Sequence, residues 1–423
     1  MTVVLILGAL FALLLVGVPV AFALGGLGLA MLFAGGFSPL MAPQAVLSTL
    51  DGFILLAVPL FLLMSNVLLK GGVGRDLYAA VQAWVGHWPG GLAVATVISC
   101  GLFAAISGSS VATAATIGTV AIPEMLSRGY EKRFVYGLLA AGGTLGILIP
   151  PSIPMIVYSF VTDESVIALF LAGIGPGLAL IVLFIVYSMI YARIKGMGRA
   201  ARASRAERVS ATVRAFPSMA LSALVIAGIY SGAFTPTEAA AVASAAAIFI
   251  TTVILRTLTW AGFRDAAMES MATTVAIILI IAGAKIFGKA ITLYRIPQEI
   301  SAFIADVVSG PASFVIVVAL ILVVMGLVLE ALSMVLIMTP VLLPAALGLG
   351  FDPIWFGVFM VVMVEFALIT PPVGLNLYVI QAVARTTLSE VALGALPFLF
   401  LMGVVVVLLY LAPDLALYIP FKL

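Results

Sequence analysis

Two consecutive prolines inside an apolar stretch, Pro150-Pro151, are where this sequence first offers chemistry. Proline lacks an N–H and pushes the preceding residue, here Ile149, out of the α region. Carbonyls one turn upstream, within Gly142-Gly143-Thr144-Leu145-Gly146, then lose their helical donors. A buried carbonyl without a partner is costly, and a hard cation such as Na⁺ satisfies several oxygens at once. The three glycines ahead of the pair favour a true unwinding over a simple kink. Upstream, Ser107-Gly108-Ser109-Ser110 interrupts another apolar stretch with residues that allow a tight turn and supply hydroxyl oxygens; the same composition also suits close helix packing. Both patterns return later as Glu330-Ala331-Leu332-Ser333 and Thr370-Pro371-Pro372-Val373-Gly374-Leu375-Asn376, with a carboxylate and an amide added.

Other residues have simpler readings. Glu330 and Glu365 are rare acids in apolar surroundings, where an ionisable group reads as functional, as a protonated structural acid or as a helix cap. Thr235-Pro236-Thr237-Glu238 has the pattern of a capping box with proline at the first helical position. Lys285 and Lys289 lie four apart, on one helical face, as snorkelling side chains or as a contact for a partner subunit. His87 and Cys100 are the single residues of their kinds, so an intrachain disulfide is excluded and a multi-ligand zinc or haem site is disfavoured. His87 sits in His87-Trp88-Pro89-Gly90-Gly91, which reads as an interfacial turn rather than a catalytic centre. No G-x-x-x-x-G-K-[ST] loop is present, so ATP hydrolysis by this chain is not expected and energy has to come from an ion gradient or another subunit.

The elements that must hold these breaks are membrane helices. The chain is 64% hydrophobic and 9% charged, with a mean hydropathy of +1.33. Stretches of about 20 apolar residues, enough to cross the hydrocarbon, recur along its whole length and leave no soluble domain. The apolar start, without a basic n-region, reads as a first membrane helix rather than a removable signal. The fold class is therefore an all-α polytopic membrane protein.

A basic run from Arg193 to Arg214, part of a linker at 193–215, splits the chain into 1–192 and 216–423. The halves resemble each other: Pro123, Gly129, Tyr130, Pro150 and Pro151 recur as Pro344, Gly350, Phe351, Pro371 and Pro372, each at a spacing of 221. The first half reads as helices near 2–16, 19–34 and 51–69, an amphipathic arm near 75–88, a re-entrant hairpin at 91–127 and helices at 133–162 (broken) and 165–192. The second reads as helices near 216–233, 237–256 and 268–290, an arm near 296–308, a hairpin at 312–347, a broken helix at 353–384 and a helix near 390–411. Five crossings per half invert the second half relative to the first. With the basic linker in the cytoplasm, fifteen of the nineteen basic residues fall inside, as basic loops do. Inverted repeats with broken helices are a secondary-transporter architecture, with sites near the midplane where backbone unwinds.

The runs GSSVATAATIGTVAIPEM, GGTLGILIPPSIPMIVY, GAFTPTEAAAVA and TPPVGLNLYVIQ resemble the large membrane subunit of tripartite ATP-independent periplasmic (TRAP) transporters, over essentially the whole chain. The resemblance implies no enzyme activity and no nucleic acid. It implies a multi-pass protein of the bacterial inner membrane that imports a small organic acid, such as a C4-dicarboxylate or sialic acid, on a Na⁺ gradient. The hairpins and broken helices would move as an elevator. A periplasmic substrate-binding protein would deliver the acid, and a small four-helix membrane subunit, expected as a separate chain, would complete the complex. Carried over residue by residue, one Na⁺ is expected among Ser107, Ser110 and the carbonyls of Gly146, Ile149 and Pro151. The repeat suggests a second near Ser333, Ala367, Thr370 and Pro372, and Thr144, Ser152 and Asn376 are the expected substrate neighbours. An autonomous ion-coupled anion carrier or antiporter on the same plan is the alternative.

Overall fold

The structure, a computed structural model, describes residues 2–198, 200–307 and 310–422. Arg199 of the basic run and position 308 of the second arm lie outside the described residues. Among the described residues every regular element is helical. The first half runs α1 (Thr2–Leu15), α2 (Val20–Ala34), α3 (Met41–Leu50), a 3₁₀ turn continuing into α4 (Ala57–Lys70), the arm α5 (Val73–Val85), α6 (Gly91–Ser107), α7 (Ser110–Ser127), α8 (Lys132–Leu148), α9 (Ile153–Thr162) and α10 (Val166–Ile194). The second runs α11 (Arg205–Tyr230), α12 (Pro236–Phe249, prolonged by a π turn), α13 (Trp260–Leu293), the arm α14 (Ile296–Val307), α15 (Pro311–Met325), α16 (Ala331–Gly348), α17 (Pro353–Leu368), α18 (Leu375–Ala384), α19 (Leu388–Leu411) and α20 (Asp414–Lys422).

Among the described residues, nine helices begin at a residue whose side chain caps them. Thr235 and Glu238 form the expected reciprocal capping box, with Pro236 at the first turn. Ser204 and Glu207 form another at the start of α11. That second box corrects the reading of the basic linker: only its first part is irregular, and helix begins at Arg205, well before the expected 216. The positive charges hid a sequence, RAERVSATVRA, whose alanines and arginines propagate a helix once Ser204 caps it. Two further helices, α3 and α20, were not expected. Both are short, carry a proline and lack a long apolar run.

By length and composition, seven helices can cross a membrane among the described residues, or eight if α8 and α9, bent by 41° at their break, count as one span. The ten expected crossings include α1 and α2, which have 14 and 15 residues. At 1.5 Å per residue they measure about 21–23 Å, short of a hydrocarbon core of about 30 Å. Large apolar side chains stay exposed in stripes, as at Leu178, Val182, Val186 and Ile190 on α10.

The helices pack in two groups. In one, α2, α3 and α4 pack against α13, and α12 against α4. In the other, α6, α7 and α19 surround α8, α17 contacts α8 and α15, and α18 lies on α7. The arm α5 touches α6 in one group and α11 on the other side; α14 touches α16 and α13. Within each group some backbones meet directly. A Cβ on Gly137 of α8 would lie 1.9 Å from the Gly394 carbonyl of α19, and one on Gly283 of α13 would lie 2.4 Å from the Ala21 carbonyl of α2. A salt bridge, Lys70–Glu269 at 2.7 Å, and a bond from Asn66 to Ser270 at 2.9 Å tie α4 to α13 at one end.

Candidate functional site

Hairpin α6–α7 turns through Gly108, whose φ of +59° suits glycine, and Ser109, whose hydroxyl caps α7. The tip is a knot of oxygens. Ser107 and Thr113 share a hydroxyl hydrogen bond of 2.7 Å, and both hydroxyls reach the Ser109 carbonyl, at 3.2 and 2.8 Å. This knot seats on the α8–α9 break. A Cβ on Gly108 would lie 2.6 Å from the Pro151 carbonyl oxygen, and one on Gly146 would lie 2.5 Å from the Ser109 carbonyl oxygen. The break spans Ile149 to Ser152, with a cis bond between Pro150 and Pro151. Ser107, Ser110, Gly146 and Pro151, four of the five residues expected around the first Na⁺, are buried here, and Ile149 is half-buried.

The second hairpin and break are built differently. Glu330 caps α16: its carboxylate accepts from the backbone of Leu332 at 3.1 Å and of Ser333 at 2.9 Å, and from the Ser333 hydroxyl at 2.8 Å. Of the alternatives open for Glu330, the cap is what the structure shows. The hairpin presses on the break through Gly326, where a Cβ would lie 2.2 Å from that of Ala367. Thr370 donates to the Phe366 carbonyl at 2.7 Å, and a second cis bond joins Pro371 to Pro372. Ser333 and Ala367 are buried, Thr370 is half-buried and Pro372 is exposed, so this set is more open than the first. Glu365 is fully buried, and neither carboxyl oxygen has a hydrogen-bond partner among the described residues.

Between the two tips lies a cavity of about 200 Å³. Gly108 to Val111 and Glu330 to Leu332 line it from the hairpins; Ile147, Ile153 and Pro154 from the first break; Leu368 and Leu375 from the second. Leu62 of α4, with Thr273 and Ile277 of α13, closes it from the other packing group. The first residues of α7, α9, α16 and α18 therefore all face one space. A helix N-terminus carries roughly half a positive charge; at α16 the Glu330 carboxylate already meets it, so the N-termini of α7, α9 and α18 are the ones that favour an anion in the cavity.

The three residues expected beside the substrate are placed otherwise. Thr144 donates to the Ala141 carbonyl of its own helix at 2.7 Å. The Ser152 hydroxyl donates to the Ile147 carbonyl and accepts from Met155 N at 3.4 Å, capping α9. Asn376 is a brace: it accepts from Ser110 Oγ at 3.2 Å and donates to the Ala140 carbonyl at 3.2 Å, joining α18 to the first hairpin and to α8. None of the three lines the cavity. Sequence reasoning missed Leu62, Thr273 and Ile277, ordinary residues on helices distant in the chain, for which no local signal exists. His87 stands in the turn after α5, edge-on to Trp88.

The family described as tripartite ATP-independent periplasmic transporter, DctM component, matches residues 7–415. A C4-dicarboxylate TRAP transporter large permease of Pseudomonas aeruginosa is 41% identical over 88% of this chain and 87% of its own length. A sialic acid TRAP large permease of Vibrio cholerae is 34% identical over 98% and 96%. A 2,3-diketo-L-gulonate TRAP large permease of Escherichia coli is 33% identical over 100% and 99%. In fold, the chain is similar to the YdaH transporter of Alcanivorax borkumensis, with a TM-score of 0.50 at 15% identity over 89% of this chain and 88% of that one. It is also similar to MtrF of Neisseria gonorrhoeae, with a TM-score of 0.52 at 14% identity over 87% and 82%. A match along almost the entire length, together with these relatives, shows that the chain belongs to the DctM component family of tripartite ATP-independent periplasmic transporters: it is a multi-pass permease of the inner membrane, not an enzyme.

Proposed function

We propose that the protein is the large membrane subunit of a Na⁺-coupled importer for a small organic acid. The observation that carries this reading is the cavity between the hairpin tips, on which the N-termini of α7, α9, α16 and α18 converge. The dipoles of α7, α9 and α18 favour a carboxylate there, while that of α16 is met by Glu330. The relatives are named for acids of that class, C4-dicarboxylates, sialic acid and diketogulonate. Na⁺ enters as co-transported cargo. Its first place is the oxygen knot of Ser107 and Ser110 against Gly146, Ile149 and Pro151; its second is among Ser333, Ala367, Thr370 and Pro372. Dense carbonyl and hydroxyl oxygens next to an anion cavity suit a hard cation, and ion and acid then neutralise each other inside the membrane.

The two halves lie in opposite orientations, and the group of helices around α8 carries the cavity across as an elevator against the group around α13. The seam along Leu62, Thr273 and Ile277 supports this, since the cavity is closed there by the other packing group. A small four-helix subunit covers part of the exposed apolar surface, and a periplasmic binding protein delivers the acid. Reconstitution into proteoliposomes tests the reading. Uptake should require an inward Na⁺ gradient, the small subunit and the loaded binding protein; uptake of free acid by this chain alone would refute it.

A further inference from the structure

Three helices that line the central cavity continue into a second one. On α9 the wall passes from Pro154 to Val161, on α16 from Leu332 to Leu336 and Pro340, and on α13 from Ile277 through Ile281 to Lys285. The second cavity measures about 440 Å³ and holds both Lys285 and Lys289. From Ile277 to Lys285 is about 12 Å along the helix at 1.5 Å per residue. The same helix carries Glu269, paired with Lys70, on the other side of Ile277, so the dibasic cavity lies on the opposite side of the central one.

Neither lysine has an ion pair within 4 Å among the described residues. The Lys285 ammonium rests 4.4 Å over the Phe160 ring, and Asp163 is the acid whose charge acts on it. Both side chains are half-buried, with their stems along the cavity wall. Two like charges one turn apart repel, and a bound anion relieves that repulsion. We propose that Lys285 and Lys289 form a waiting site for the substrate carboxylate, which holds the acid after release from the soluble donor and passes it along α9, α13 and α16 to the central cavity. This rests on the organic-acid reading above and adds a site separate from the central one.

The test uses the complete transporter in proteoliposomes, with acid supplied on its binding protein. Lys285→Gln with Lys289→Gln should lower the uptake rate at least tenfold at sub-saturating loaded binding protein. At saturation the rate should stay within about twofold, because repeated docking compensates for poor capture. Arg at both positions should restore the wild-type curve, and the affinity of unloaded binding protein for the membrane subunits should be unchanged. A wild-type curve for the double Gln variant, a loss confined to the maximal rate, failure of Arg to rescue, or lost docking would each overturn the proposal. Wild-type uptake that ignores Na⁺ would instead refute the coupling, leaving the lysine comparison to be made with whichever gradient drives transport.

Discussion

Gly146 is where the proposed Na⁺ site and the packing make one joint prediction. An added Cβ would stand 2.5 Å from the Ser109 carbonyl oxygen and 2.8 Å from Thr113 Oγ1. Ordinary contact begins at 3.4 Å, so the hairpin tip must retreat by about 0.9 Å. Such overpacking costs about 1–3 kcal/mol. The helical preference of alanine over glycine returns at most about 1 kcal/mol, and less in this last turn of α8. About 1–2 kcal/mol remains. If cation binding needs the tip seated on the break, that cost falls on the ion-bound state, and Gly146→Ala should raise the Na⁺ half-saturation of uptake about 5- to 30-fold. The assay is initial uptake in proteoliposomes against external Na⁺. Gly26→Ala, where a Cβ meets nothing within 4 Å, is the control and should change nothing. A folded, monodisperse Gly146→Ala transporter with wild-type Na⁺ half-saturation would refute the placement of the ion between tip and break.

Three further outcomes follow from particular contacts. Ser110→Ala removes the donor to Asn376, so it should cost about 1 kcal/mol of thermal stability and weaken Na⁺ dependence more than binding-protein docking, read by uptake and by direct binding. Glu330→Ala strips the α16 cap and should cost about 1 kcal/mol while leaving hairpin α6–α7 intact; equal loss of protection in both hairpins by hydrogen exchange would contradict the local role. Glu164, in the loop after α9, has its carboxyl pushed up, chiefly by burial and then by the charge of Asp352. Its folded form binds the proton more tightly than the unfolded chain, so this residue's contribution falls as pH rises from the ordinary carboxylate value toward the raised one. Glu164→Gln should therefore flatten that part of the melting-temperature profile, and an unchanged profile would count against it.

How much was legible in the sequence depended on whether the cause was local. Pro150-Pro151 and Pro371-Pro372 break their helices wherever they sit, and Ser107 to Ser110 turns a hairpin by its own residue types. Thr235 to Glu238 states its cap outright. Ser204 and Glu207 state theirs just as clearly, yet the surrounding charge outweighed them in the reading. The short helices α3 and α20 lacked both an apolar run and a clean cap pair. The candidate site divided the same way. Its two tips and two breaks could be read, whereas the wall formed by Leu62, Thr273 and Ile277 exists only because α4 and α13 pack there. Asn376 showed a third limit. Its type suggested a ligand for the acid, but whether its amide faces a solute or braces Ser110 depends on a contact spanning 266 residues.

The glycine contacts inside each packing group restrict how the molecule can rearrange. Where Gly137 meets Gly394, and Gly283 meets the backbone at Ala21, no side chain separates the helices. A slip of one turn would carry Glu390 or Phe398 to the place of Gly394, and Leu279 or Phe287 to the place of Gly283, and none of these fits where a single methyl already collides. Each seam thus has one register. The pairs α8 with α19 and α2 with α13 behave as welded plates, and shape change in this protein is channelled to the surfaces between the plates. A deep mutational library should show the same division, with these glycines intolerant even of alanine and the intervening surfaces open to substitution.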